Sequence, residues 1–241
     1  MLFKFLEKKI VLDCFTSEPA VIEYAPIHYA IKHMPDWWKK LPVNSDDVSG
    51  GNMRFCAGMV EYFKKSIAIP AWSDFYVNFF GKDSFSWEFS DGKSNAVHHP
   101  VMQRDGFLPN YVHLKMSSPW LFKSQKGVQW VWSHPSYNYA HNNDVVSLPG
   151  ITDFYYQHAT HINMMFHYIN EKKIFIPQGQ PLVVLTPMSD RKIEIVRHLV
   201  DKEEMRKLNC RSDAITFQNK YKTIMEKKDQ FADCPYHTGL K

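Results

Sequence analysis

Three histidines, His158, His161 and His167, fall within ten residues of one another in YQHATHINMMFHYI (156–169). Such density raises the chemistry of zinc or iron, which need three or four histidine or carboxylate donors converging at about 2.0–2.2 Å from one ion. The even positions Ile162, Met164, Phe166 and Tyr168 are apolar or aromatic, and a period of two predicts a half-buried strand. On that strand His161 and His167 share the other face, yet lie roughly 20 Å apart at about 3.3 Å per residue. His158 then points the opposite way. A helix would set His158 beside His161 at i, i+3, but Thr160, Ile162 and Asn163 make a poor helix. The stretch therefore reads as a core strand, and a metal centre must be assembled from separate strands.

The candidates for such a centre are His99, His134, His158 and His161, with Asp153 as the carboxylate. They would serve an iron- or zinc-dependent oxygenase or hydrolase. The spacing speaks against it. A facial triad on a strand usually starts from HxD or HxE, and neither occurs; nor does HExxH. HNND (141–144) and HHPVMQRD (98–105) place an acid after a histidine at spacings that need unusual geometry. His99 and His134 each precede a proline, which suits strand ends where an imidazole bonds backbone groups.

Other reaction classes find no complete signature. There is no GxSxG elbow, no Walker A loop and no GxGxxG, so nucleophile-elbow and phosphate-loop chemistry lack support. Cys14, Cys56, Cys210 and Cys234 are widely separated and form no CxxC pair, which excludes a zinc ribbon and a redox dithiol motif. Cys56 opens an expected helix, where the N-terminus lowers a thiol pKa; it is expected to be a buried structural thiol.

The elements that must position these residues are mostly strands. YVHLKM (111–116) and VQWVWS (128–133) alternate, with Val128, Trp130 and Trp132 on one face. IPAWSDFYVNFF (69–80) and SFSWEF (84–89) form an expected hairpin, and VIEYAP (21–26) a short strand ended by Pro26. KIFIP (173–177) and PLVVLTP (181–187) flank a tight Gln178-Gly179-Gln180 turn. KIEIVRHLV (192–200) fits either a strand or a helix. MPDWWKKLP (34–42) predicts one helical turn with Pro35 near its start; Trp37 and Trp38 cannot both face inward, so one packs and the other covers an edge that could bind a partner. CAGMVEYFKKS (56–66) predicts a short amphipathic helix on Met59, Val60 and Phe63, after a polar loop at 44–52. The clearest helix is DAITFQNKYKTIMEKKD (213–229), with Ala214, Phe217, Tyr221, Ile224 and Met225 on one stripe.

Composition bounds the class. The chain has 241 residues, enough for a substantial core without disulfides or metals. An aromatic share of 15% favours half-buried pleated surfaces. The net charge of +4 is mild, and acids interrupt the basic runs of the last third, so nucleic acid is not an expected partner. Nothing reads as a signal peptide, because Glu7, Lys8, Lys9 and Asp13 break MLFKFLEKKIVLDCF, and no apolar run is long enough for membrane insertion. With no composition break and no repeat, residues 1–241 read as one α+β domain. Its body, about 20–200, is mainly antiparallel β, a sandwich or barrel with peripheral helices, and 201–241 is a C-terminal helical extension. IFIPQGQPLVVLTP (174–187) resembles the closing strand pair of β-clip and dUTPase-like folds, so the body is expected to be jelly-roll or β-clip-like.

A set of short motifs occurs in a fixed order: EYAP (23–26), PDWWKKLP (35–42), CAGMVEYFKKSIAIPAWSDFYV (56–77), HPVMQ (99–103), SPW (118–120), SHP (133–135), PGITD (149–153), IN (162–163) and IPQGQPLVVLTP (176–187). Covering roughly residues 20–190, this order resembles a family of uncharacterised proteins of tailed phages of marine bacteria. The chain departs from that pattern after Asp153, where Phe154 and Tyr155 replace an expected second acid. The family has no established activity to carry over. The resemblance implies a phage-encoded protein of the host cytoplasm or the virion. Together with the missing catalytic signatures, it leads to the expectation of a non-catalytic structural or interaction protein. It would be a virion component or a host-target binding module, compatible with oligomerisation, with a protein partner and no cofactor.

Overall fold

The alternating aromatic stretches fold as strands, and the helices pack at their margins. The computed structural model describes residues 9–42, 52–81, 84–139, 144–168 and 171–217. Most of the expected polar loop at 44–52, His141 of HNND, and the expected helix beyond Phe217 lie outside the described residues.

In chain order the strands are β1 (Ile10–Thr16), β2 (His28–Tyr29), β3 (Ile67–Pro70), β4 (Phe75–Gly81), β5 (Ser84–Phe89), β6 (Ala96–His99) and β7 (Tyr111–Ser124), followed by β8 (Gln129–Ser133), β9 (Val145–Ser147), β10 (Gly150–Asp153), β11 (Ala159–His167), β12 (Lys172–Ile176), β13 (Pro181–Pro187) and β14 (Ile193–Leu199). The helices are α1 (Pro19–Tyr24), α2 (Asp36–Lys39), α3 (Ala57–Lys65) and α4 (Lys202–Phe217). Three open sheets result: β14-β1-β7-β11-β9 with β6 also on β7, then β10-β8-β13-β3-β2, then β12-β4-β5. Every pairing is antiparallel except β1 with β14. This is an α+β sandwich dominated by antiparallel β structure, with helices at its edges and a C-terminal helix. The largest sheet starts before residue 20, because β1 lies inside it.

β7 organises the large sheet. Its first half alternates, burying Val112, Leu114 and Met116, and pairs with β6; its second half pairs with β1. Along its other edge β11 runs the whole way, with a bulge: Ala159 faces Leu121 while His161 faces Ser117. Pro119 falls inside that bulge, where a residue without an N–H is tolerated in a sheet. After the bulge both faces are covered, so Trp120 to Ser124 are all buried. Trp120 and Phe122 enter the main core, while Leu121 joins Phe15 and Ala159 in a cluster packed by Met205 and Leu208 of α4.

The five-stranded sheet closes the other side. Val183 and Leu185 of β13 face the main core, and Val184 faces outward against Trp38, Met59 and Phe63. Coverage on both faces explains why this strand reads as an unbroken apolar run. Phe154, fully buried, joins the two large sheets, with ring centroids 5.2 Å from Phe122, 5.9 Å from Trp130 and 6.1 Å from Trp132. The third sheet presents Phe75, Val77 and Phe79 to the core, and Phe75 meets Phe166 of β11 at 5.8 Å.

Several local expectations hold: the 84–89 strand pairs with β4, α3 buries Met59 and Phe63, and 156–169 contains a strand with Ile162, Met164 and Phe166 buried. Two change. VIEYAP is helix α1, because Pro19 occupies its first turn and the Ala25 N–H closes on the Val21 carbonyl. The 69–80 run is split, since Ile69 and Pro70 belong to β3 and pair in another sheet from β4. The expected Gln178-Gly179-Gln180 turn forms between β12 and β13, and because these strands pair in different sheets it is a corner of the sandwich.

Candidate functional site

The sequence-selected histidines occupy separate structural posts. His158 is 2% exposed, and its Nδ1 lies 2.9 Å from the Phe122 carbonyl and 3.1 Å from the Phe154 carbonyl. Two acceptors at one nitrogen require that nitrogen to carry the proton, so the ring donates to both and ties the Phe154 turn to β7. His134 does the reverse. Its Nδ1 accepts the Ser147 N–H at 3.1 Å, the ring lies 5.0 Å from Tyr139, and burial lowers its pKa to about 4. A neutral ring with its remaining proton on Nε2 thus pins β9 to the end of β8. His99 lies 4.9 Å from His113, whose Nε2 is 3.1 Å from Asn163 Oδ1. Asp153 ends β10 and accepts the Tyr155 N–H at 2.9 Å; burial raises its pKa against that bond.

These four residues and His161 do not form one centre. Among the described residues, no group of three or more His, Cys, Asp or Glu side chains is placed to hold a metal ion. The histidines on β11 separate by face, as the period of two predicts: His158, just before the strand, is buried, and His161 is half-buried on the other side. Cys14 is buried in the core with its thiol pKa raised by desolvation, whereas Cys56 is exposed at the start of α3 and is not the buried thiol expected.

His161 lines a groove of about 480 Å³ beside α4, at the bulge between β7 and β11. Ser117 and Ser118 come from the bulged strand, Glu18 from the β1–α1 turn, and Lys202 and Arg206 from α4. The mixture of two cations, one carboxylate and hydroxyls can hold a small polar ion. A second polar cluster escaped the sequence reading. Asp13, 3% exposed, sits opposite Lys123 in the β1–β7 register, and its Oδ1 is 2.7 Å from His198 Nε2. His198 also stacks on Phe15 at 4.6 Å. Nothing local signals this contact, because its partners are far apart in sequence and meet through the parallel β1–β14 pair.

Trp37 and Trp38 divide as expected. Trp38 is 3% exposed and packs edge-on to Phe63 at 5.8 Å. Trp37 is half-buried, donates its indole N–H to the Tyr137 carbonyl at 2.9 Å and lines an open groove of about 640 Å³.

A third surface lies at the β4–β5 end. Phe79, Phe85, His98, Val101, Pro109 and Tyr168 line a shallow, largely aromatic pocket of about 210 Å³. One wall is the 100–110 loop, which also exposes Met102 at 92% and Phe107 at 56%. The loop turns through left-handed backbone at Asp105 (φ 45°), Gly106 (φ 76°) and Leu108 (φ 50°). That conformation is natural for glycine and tolerated by aspartate, but strained for leucine. HPVMQ had been noted only as a motif; exposure of its apolar residues needs tertiary structure to be seen.

Compared with known protein families, curated proteins and solved structures, the chain gives no match.

Proposed function

We propose that the chain is a phage-encoded interaction protein without chemistry of its own, acting as a virion component or as a binding module for a host target. The observation that supports this reading is the 100–110 loop. Val101, Met102 and Phe107 stand exposed on a segment that keeps a strained Leu108 backbone, beside a pocket already lined with aromatic rings. Exposed apolar side chains grouped around a concavity mark protein-docking surfaces more often than they serve a monomer. The partner is another protein, phage or host, that offers an apolar face. No helix among the described residues is long and apolar enough to cross a membrane.

The test is a charge placed where the partner should sit. Met102→Asp with Phe107→Asp is compared with wild type and with the exposed control Lys126→Asp in affinity purification from phage-infected cells. A central interface side chain is worth about 2 kcal/mol or more, at least about tenfold in affinity. The expected result is one discrete protein retained by wild type and control and lost from the double variant. An unchanged set of bound proteins, with the double variant folded, contradicts the proposal.

A further inference from the structure

We propose that the groove beside Trp37 is a binding site for an acidic saccharide, a sugar bearing a carboxylate or phosphate. It is separate from the 100–110 loop and does not depend on the reading of that loop.

The groove is a built one. One wall is the turn Ala30–His33 and helix α2, the other is the corner around Gly179, and Asn138 lies between them. Side-chain amides stitch these pieces together. Asn138 Nδ2 donates to the His33 carbonyl at 2.7 Å, Gln180 Nε2 to the Asn138 carbonyl at 3.1 Å, and Gln178 Nε2 to the Trp72 carbonyl at 3.0 Å. The corner itself is held by the Gly179 N–H on the Ala71 carbonyl, with Gly179 at φ 85°, and by the Gln178 N–H on Asp74 Oδ1. Each amide is thus anchored through its nitrogen, and Gln180 also bonds the Tyr139 hydroxyl, so the amide oxygens are held in a fixed orientation toward a ligand. Fixed acceptors and donors in pairs suit sugar hydroxyls, each of which both donates and accepts.

The remaining chemistry decides the class. Trp37 has its indole N–H committed to Tyr137, so what it offers the groove is ring surface, which suits the C–H face of a sugar. Lys39 is paired with Asp36 at 3.0 Å, but no ion pair engages Lys32 or Lys40 among the described residues. His33 lies at the same wall, where burial lowers its pKa against a backbone hydrogen bond at Gly179, so the ring adds no charge to the groove. Asp36, which also lines the groove, acts on both Lys39 and Lys40, so Lys32, Lys39 and Lys40 face one carboxylate, and this positive excess beside the amides selects an anionic and hydroxylated ligand. An apolar peptide would leave the amides and lysines unsatisfied. A nucleic-acid strand would call for a longer basic track and more stacking rings than one tryptophan. The volume of about 640 Å³ lies within the ordinary range of small-ligand sites, about 300–1,000 Å³.

The test uses the full chain and four probes: trigalacturonate, glucose phosphate, the neutral maltotriose, and an oligothymidylate, titrated by calorimetry at low salt. Trigalacturonate is expected to bind, and maltotriose at least about tenfold more weakly, as loss of a charge-assisted bond implies. The Lys32→Gln, Lys40→Gln double variant changes two surface positions and should keep the wild-type melting temperature while losing the preference for the acidic sugar. Trp37→Phe should weaken both sugars together. The proposal is overturned by any of three results: no binding of trigalacturonate or of glucose phosphate at millimolar concentration, binding unchanged in the double lysine variant, or oligothymidylate bound more tightly than either sugar.

Discussion

Replacing His158 separates a structural imidazole from a metal ligand. The ring is 2% exposed and donates from Nδ1 to two buried carbonyls, those of Phe122 and Phe154. Alanine removes that bifurcated bond, a net loss of about 1 kcal/mol, and leaves a ring-sized void beside Phe154, which adds about 2 kcal/mol or more. The sum is about 3 kcal/mol. Asparagine places an amide nitrogen near the position of Nδ1, so it keeps a donor for the same carbonyls and loses mainly ring volume, about 2 kcal/mol. Urea unfolding followed by tryptophan fluorescence measures both, since Trp130 and Trp132 pack on Phe154. The expected order is wild type, then His158→Asn, then His158→Ala, whether or not zinc or iron is added. A loss below about 0.5 kcal/mol for alanine, the range of ordinary surface changes, refutes the reasoning. So does destabilisation that occurs only when metal is present.

Further expectations follow from the same geometry. His134 has its pKa lowered from 6.5 to about 4 by burial, so between those pH values the unfolded chain binds the extra proton and folding stability falls as pH falls. His134→Gln should lack this loss, and pH-dependent melting of the two proteins checks whether they converge toward pH 4; parallel curves contradict it. Phe154→Ala should cost about 3–5 kcal/mol, because the ring touches both large sheets; chemical denaturation reads it, and a cost under about 1 kcal/mol contradicts that role. Trp38→Ala should cost about as much, and Trp37→Ala less, since Trp37 is only half-buried. Elemental analysis of protein purified without chelator is expected to give no stoichiometric zinc or iron, and one metal per chain that is lost in His158→Ala contradicts the structural assignments.

How much was legible in the sequence depends on whether a signal was local. The alternation of Val128, Trp130 and Trp132, or of Ile162, Met164 and Phe166, is a local record of one buried face, and it led to the right strands and the right class of fold. The division of Trp37 and Trp38 between groove and core was readable for the same reason. α1 was misread because Val21 and Ile22 are β-branched, while the helix is set by Pro19 and by burial of Val21 against the sandwich. The turn at Gly179 was legible, but a glycine with positive φ marks a reversal and does not say which sheets its flanks enter. Pairing across the fold left no local trace, so Asp13 with His198, and the amides that close the groove at Trp37, could be found only in three dimensions. For the histidines, spacing argued against a local metal site, and the proline after His134 pointed to the backbone bond that it makes; that His158 gives Nδ1 to two buried carbonyls could be found only in three dimensions.

The most direct test of the proposed interaction role is site-specific photo-crosslinking from position 102 during phage infection, with the exposed Lys126 as a control position. A discrete cross-linked protein seen from position 102 and absent from position 126 is the predicted result. The same weak, heterogeneous products from both positions would contradict it.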